Sequence, residues 1–462
     1  MKTEDVHTLI LGAGPAGLAA AYRLAKAGVA PVVVEKSYVA GGLMRSIQRG
    51  AFSVDLGRKE LYSRIPDVDR LWTEVLGDAY RPYPHREGVL YHHCIFEIER
   101  KYRGFRRGVP WPMFVLGVLD YLWYAIKFRV RAPHNYEAYC YRRRGRRFTR
   151  MFAQGFSEKF EGLRWAEMSP PEAVGVQQAT LFAGALAPGT PTATMPTTSW
   201  RHPAKGSGQI SQLLEQHIQE AGGSLQFGVQ VSEIHGSDGR ITHVHAETES
   251  EKLVFQPKHV VSSIPLEALC QFVLPDQLGT ASQDVPGMPP ARRSTILVYL
   301  FSEAPPKFPH TWLCVTCPTT RIGRITNYAG FNGEMVPKGQ TCLCIEFFCV
   351  GSDPLLDLSP QELYALALEE CAKFDLIDTA TCFDHLVLKL PGADAATKWQ
   401  DWLTDTRQRL LTAIQVFANL YYVNRPGTDK ATYAGLKAAE AILMGDRTVF
   451  NQLADPRSGG FL

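Results

Sequence analysis

Val6-His-Thr-Leu-Ile-Leu11-Gly12-Ala-Gly14-Pro15-Ala16-Gly17 stands near the start, and Val32-Val-Val34-Glu35-Lys36 follows after an alanine-rich stretch. An apolar run, three glycines, an amphipathic stretch and a second apolar run ending in an acid predict strand, turn, helix and strand. The spacing is Gly-x-Gly-x-x-Gly. Gly12 permits the tight turn, Gly14 lets the backbone approach a pyrophosphate, and Gly17 allows close helix–strand packing. A helix starting at Pro15 directs its first amides and its positive dipole end at an anion. Glu35 lies where an acid accepts hydrogen bonds from a ribose. A glycine triplet alone is weak evidence, but strand, helix, second strand and acid in register predict a dinucleotide site.

The 462 residues exceed one simple core, so two or three packed units are expected. Net charge is only +3, yet residues 100–150 hold 14 Lys and Arg against 2 Asp and Glu, leaving 35 basic and 44 acidic residues elsewhere. That segment is a positive field set against an acidic body. Lys2, Glu4 and Asp5 leave no room for a secretory leader before the glycine strand. Ten irregularly placed cysteines point to a reduced, cytoplasmic protein. The apolar stretch from Val109 to Phe128 is interrupted by Pro110, Pro112, Gly117, Asp120 and Lys127, and reads as a buried or interfacial helix rather than a span.

Further along, Gly41-Gly42-Leu43-Met-Arg45-Ser46 precedes a short alternating strand, Phe52-Ser-Val-Asp55-Leu-Gly57. From Ile65 to about Gly162 the pattern is helical, with Val68, Leu71, Trp72 and Val75 at helix spacing and further helices over 112–130 and 134–160. Pro188 to Pro203 reads as loop. Lys205-Gly-Ser-Gly208 opens a second amphipathic helix to Ala221, and strands are expected at 225–235, 240–247, 252–256 and 259–264. Strands at 295–301, 312–316 and 341–350 and a helix over about 360–374 form a separate block. Asn419 to Val423, the turn Asn424-Arg425-Pro426-Gly427 and an alanine-rich helix from Ala431 to Met444 echo the first unit.

Glu35, Gly41-Gly42, Arg45-Ser46, the Asp55-Leu-Gly57 turn, Lys205-Gly-Ser-Gly208, the Val260–Pro265 strand and the C-terminal glycine loop together resemble flavoproteins of the protoporphyrinogen-oxidase and amine-oxidase type, the group that includes UDP-galactopyranose mutase and phytoene desaturases. The resemblance implies an α/β fold: a discontinuous Rossmann-type FAD-binding domain with an inserted α+β substrate domain and a helical insertion. The FAD domain would comprise 1–65, 205–265 and 415–462, the helical cap 66–204 and the substrate domain 266–414. By position in the pattern, Gly12, Gly14, Pro15, Ala16 and Gly17 would face the pyrophosphate of FAD. Glu35 and Lys36 would meet the ribose, Gly41, Gly42, Leu43 and Arg45 the pyrophosphate and flavin edge, and Val231 the adenine. Ser263, Arg425, Gly427 and Thr432 would lie toward the flavin. No second glycine motif with its own strand and acid occurs, which argues against a dedicated nicotinamide domain.

One departure bears on chemistry. Many relatives have Gly-Gly-His-Arg after the Asp55 strand, where this chain has Gly57-Arg58-Lys59-Glu60, so cations replace a titratable imidazole. Arg58 and Lys59, with Arg324 on the alternating Arg321–Tyr328 run and Arg425 beside the C-terminal glycine loop, are the candidate catalytic and substrate-binding residues, suited to an anionic small molecule. The expected activity is oxidation of a C–N or C–C unit by hydride transfer to FAD, with a UDP-sugar-mutase-type isomerase and a weakly active flavin-binding partner protein as alternatives. Cys314, Cys317, Cys342 and Cys344 sit in strand-like apolar sequence and read as buried thiols rather than a zinc site, so no metal is expected. The Arg142–Arg147 run reads as a solvated face or a peripheral contact with an acidic surface, and nothing matches a nucleic-acid-binding pattern.

Overall fold

The computed structural model of the chain describes residues 2–97, 109–130, 132–170, 200–273, 292–331, 334–395, 400–451 and 453. The Arg100–Arg107 part of the basic segment and most of the expected 188–203 loop lie outside them. Leu9, Ile10 and Leu11 are fully buried in strand Lys2–Leu11, which pairs in parallel with Pro31–Glu35 on one side and Lys252–Ser262 on the other. Strand Ser224–Phe227 extends the sheet beyond Pro31–Glu35, and Leu420–Tyr422 pairs with Val260–Ser262. Strands buried on both faces read as unbroken apolar runs, which is why this sheet is visible in the sequence.

Helices Pro15–Lys26, Gly208–Glu220 and Thr428–Met444 share one core with this sheet. The first and last meet so closely that a Cβ on Gly435 would stand 2.0 Å from the Ala16 carbonyl oxygen. An antiparallel hairpin, Gln230–Ser237 with Arg240–Glu247, joins the other end of Lys252–Ser262. The expected strand 225–235 is thus two strands broken at Gly228, whose φ is +67°. The expected 252–256 and 259–264 are one strand, because Pro257 falls in the gap between the pairing with Val244–Glu247 and the pairing with Leu420–Tyr422.

The second sheet has seven strands in the order Cys382–Ala395, Arg292–Ser302, Thr341–Val350, Ile322–Asn327, Trp312–Val315, Glu87–Tyr91 and Cys94–Glu97. Its last two strands lie within the stretch that the pattern predicted as helical. They form a hairpin turned at His92–His93, with His92 at φ +53°, and Glu87–Tyr91 pairs in parallel with Trp312–Val315. That long-range pairing is what makes them strands. Tyr80–Pro82 is a further short strand, paired with Arg201–Pro203, and the longer described elements of the stretch are helical: Pro66–Leu76, Trp111–Val130, Tyr136–Arg144 and a run of helical turns from Arg146 to Glu161.

Lys159 fastens this helical layer to the second sheet. Its Nζ donates to the carbonyls of Val315, Cys317 and Ile322 at 3.2, 2.8 and 2.8 Å. Burial pushes its pKa down to about 8. A lysine lowered in the folded state penalises folding below its folded pKa, and the penalty lifts as pH rises toward the unfolded value of about 10.4. The stability of the wild type relative to Lys159→Met is therefore expected to increase between about pH 8 and pH 10, measured as paired thermal melts.

Candidate cofactor and substrate site

The glycine turn is shaped by steric need. Gly12 has φ +102° and donates to the Val34 carbonyl at 2.8 Å, while Gly17 packs so tightly that an added Cβ would stand 1.9 Å from Gly12 O. At Gly14 a Cβ would meet nothing within 4 Å, and Gly14 borders a cavity of about 660 Å³, within the roughly 300–1,000 Å³ range of ligand sites. Helix Pro15–Lys26 has neither a side-chain N-cap nor an acid in its first turn, so its amide end is open to an anion.

Three separated segments wall this cavity. The first supplies Gly12, Gly14, Pro15, Ala16, Glu35 and Lys36, then Gly42 and Leu43. The middle segment supplies Val231 and Ser263, and the last supplies Arg425 and Gly427 with Thr428 and Ala431. Glu35 also clamps the turn: its carboxylate accepts from the Ala13 amide at 2.8 Å and from the Ser37 amide and hydroxyl at 2.9 Å each. An amide-lined turn opposite an acid, in a cleft of this size, fits a dinucleotide: the turn suits the phosphates and Glu35 a ribose.

Four expected contacts are not on the cavity wall. Gly17 and Gly41 serve packing; a Cβ on Gly41 would come 2.8 Å from Ser211 Oγ. Thr432 is buried inside the last helix, where its hydroxyl bonds the Thr428 carbonyl at 2.8 Å, leaving Thr428 and Ala431 to face the cavity. Arg45 follows the turn Gly42–Met44, in extended backbone that leads into strand Ser46–Arg49 and away from the wall. The Lys205-Gly-Ser-Gly208 turn is likewise occupied within the protein: Asp55 Oδ1 accepts from Ser207 N at 2.8 Å and Ser46 Oγ at 2.6 Å, and Ser46 Oγ accepts from Gly208 N at 2.8 Å.

A second cavity of about 230 Å³ adjoins the first, sharing Met44, Lys59 and Thr428 and adding Arg58, Glu60, Leu61 and Ser207. Lys59 is the one titratable side chain on both walls. Burial lowers its pKa, with the Glu346 carboxylate opposing, so its charge is held less firmly than that of an exposed lysine. Arg58 is also committed. Its guanidinium lies 4.0 Å from the Trp312 ring centre and 2.5 Å from Glu60 Oε2.

The turn carrying these residues is gripped by the second sheet. Tyr328 Oη lies 2.6 Å from Asp55 O and 2.9 Å from Gly57 O, and Tyr299 Oη donates to Asp55 O at 2.7 Å. Glu346 Oε1 accepts the Arg58 amide at 2.9 Å. The same carboxylate holds Arg324 in a fork, with Nε at 2.9 Å and Nη2 at 2.6 Å. Arg324 is thus a support of the turn and lines neither cavity. Burial opposes both charges, yet each partner holds the other ionised, with the Glu346 pKa lowered and the Arg324 pKa raised. Glu346, Asp55, Tyr299 and Tyr328 are absent from the sequence-derived candidates. A signal existed for one of them: Glu346 is the sole acid in the apolar run Thr341–Val350, and a charge there needs a partner.

Residues 10–74 match the family described as NAD(P)-binding Rossmann-like domain. Reduced UDP-galactopyranose mutase superimposes with a TM-score of 0.74 at 18% identity, over 96% of this chain and 98% of that one. Putrescine oxidase bound to putrescine gives 0.62 at 14% identity, over 96% and 100%. The chain has the Rossmann-type flavoprotein fold. A curated relative, the 1-hydroxycarotenoid 3,4-desaturase of Flavobacterium sp. (strain P99-3), is 41% identical over 70 residues, which are 13% of this chain and 14% of that protein. Within the flavoprotein fold the described residues place the glycine turn, Glu35 and the C-terminal loop around one cavity, and the Arg58–Glu60 turn at its end.

Proposed function

We propose that this chain is an FAD-dependent oxidoreductase that removes a hydride from a C–N or C–C unit of a small, anionic or polar molecule. The observation that carries the reading is the pair of joined cavities, one dinucleotide-sized and one small and polar, meeting at Lys59. FAD, when bound, supplies the hydride acceptor. The chain's own share is orientation and proton handling. Arg58, anchored on Trp312, and Ser207 border the small cavity and would position the substrate; Lys59 Nζ, in its neutral form, would take the proton that the substrate sheds. The similarity to putrescine oxidase supports the C–N form of this reading, and the short match to a 1-hydroxycarotenoid 3,4-desaturase supports the C–C form. The ten free cysteines support a cytoplasmic setting.

The test is anaerobic mixing of the FAD-loaded protein with panels of amines and of unsaturated or hydroaromatic compounds, following loss of the oxidised flavin band. Bleaching by one of them is the expected result. Lys59→Met should slow it by about a hundredfold, the scale of a lost general base. The wild-type rate should rise with pH through the lowered Lys59 pKa, and Lys59→Met should flatten that limb. A second reading, a non-redox isomerase of the UDP-sugar-mutase type, is favoured by the similarity to that enzyme and by the Arg58 guanidinium at the small cavity. Activity that appears only after chemical reduction of the flavin, with no bleaching by any substrate, would select it.

A further inference from the structure

Helix Trp111–Val130 is turned inside out. Its inner side holds Gly117, where a Cβ would stand 2.3 Å from the Phe148 ring, together with buried Phe128 and half-buried Phe114 and Tyr124. Its outer side carries Trp111, Val115, Leu119, Leu122 and Ile126, three or four residues apart, with Leu116 and Trp123 alongside. These side chains are 37% to 65% exposed. Three- and four-residue spacing places them on one face, so the stripe runs most of a helix about 30 Å long. A continuous apolar face of that extent marks a contact surface.

Arginines border the stripe. The turn between Tyr136–Arg144 and Arg146–Thr149 lies against the middle of the helix: the Arg147 amide donates to Asp120 Oδ2 at 2.8 Å, and Arg146 Nε lies 3.9 Å from Asp120 Oδ1. Arg142, Arg143, Arg146, Arg147 and Arg150 are exposed there, and Lys127 is exposed on the helix itself. These side chains are all exposed cations, so a second copy presenting the same face would be repelled. No described helix is long and apolar enough to cross a membrane.

We infer that helix 111–130 lies in the surface of a bilayer containing anionic lipid. The stripe enters the acyl boundary, Trp111 and Trp123 sit at headgroup level, and the arginines pair with lipid phosphates. The occupant is chosen by charge: an apolar stripe with a cationic border complements a negative, apolar-backed surface.

The test uses the full FAD-loaded chain and sedimentable vesicles of phosphatidylglycerol mixed with phosphatidylcholine, against phosphatidylcholine alone. Binding to the mixed vesicles, weakened by high salt and accompanied by a blue shift of tryptophan emission, is expected. The double variant Leu119→Glu with Leu122→Glu should weaken that binding by at least about tenfold while the flavin spectrum and melting temperature stay unchanged. Arg142→Gln with Arg143→Gln should weaken binding to the mixed vesicles selectively. Absence of vesicle binding overturns the inference, as does equal binding to both vesicle types. So does a wild-type dimer, seen by light scattering, that the leucine variant converts to a monomer.

Discussion

Gly17→Ala is expected to purify with less than about a tenth of the wild-type flavin and to lose about 1–3 kcal/mol of stability, the scale of an overpacked core position. The added methyl would stand 1.9 Å from the Gly12 carbonyl oxygen and 3.2 Å from Ile10 Cγ2. Neither neighbour can yield: Ile10 is fully buried, and Gly12 is held at φ +102° by its bond to Val34. The start of the helix must therefore lift off the turn, which opens the cradle. Gly14→Ala is the informative companion. Its methyl would meet no protein atom within 4 Å, so the apo protein should melt as the wild type does, yet the methyl projects where the cofactor would lie and flavin affinity should fall. Flavin content by absorbance and apo melting temperature separate the two effects. Full flavin occupancy in Gly17→Ala would contradict the packing argument.

Glu346→Ala should be the most destabilising single change at the site, by about 3–5 kcal/mol, because Arg324 would be left as an uncompensated buried charge. Arg324→Leu with Glu346→Leu should recover much of that loss, since removing both charges strands neither. The pH dependence has a definite sign. The Glu346 carboxyl is held below its ordinary range, so its stabilising contribution is complete above the unfolded value of about 4.3 and disappears as pH falls through the lowered folded value. Melting temperatures of wild type and Glu346→Ala should converge on acidification. The variant also withdraws the acceptor of the Arg58 amide and the charge that raises the Lys59 pKa, so any Lys59-dependent limb in the rate should move to lower pH.

These supports mark where sequence reading ends. The glycine turn, Glu35, the strand leading to Ser263 and the loop before Thr428 are legible because each is a local pattern whose residues lie within a few positions of one another. Arg324 was legible as a charge on a strand, but its partner sits 22 residues away, on the neighbouring strand of the second sheet, and the fork between them turns a presumed substrate contact into a brace. Arg45 and Thr432 lie beside the loops that line the cavity and not on its wall: Arg45 immediately precedes the strand Ser46–Arg49, and Thr432 is buried in the last helix. The Glu87–Glu97 hairpin was hidden for a similar reason, since its partner strand begins at Trp312. The lowered pKa of Lys59 belongs to no local motif at all, because it arises from burial beneath residues drawn from distant segments.

The way the last helix seats against the first carries a consequence for biosynthesis. Gly435 rests on the Ala16 carbonyl, and Val423 donates to Ser262 beside the strand that borders the glycine turn. A ribosome that has delivered the whole glycine motif has made only one wall of the cofactor's berth; the wall from Arg425 to Ala431 emerges only after about 400 further residues. Loading waits on that last segment, and a chain stopped short of Thr428 should be released colourless, however well its first strand and helix have formed.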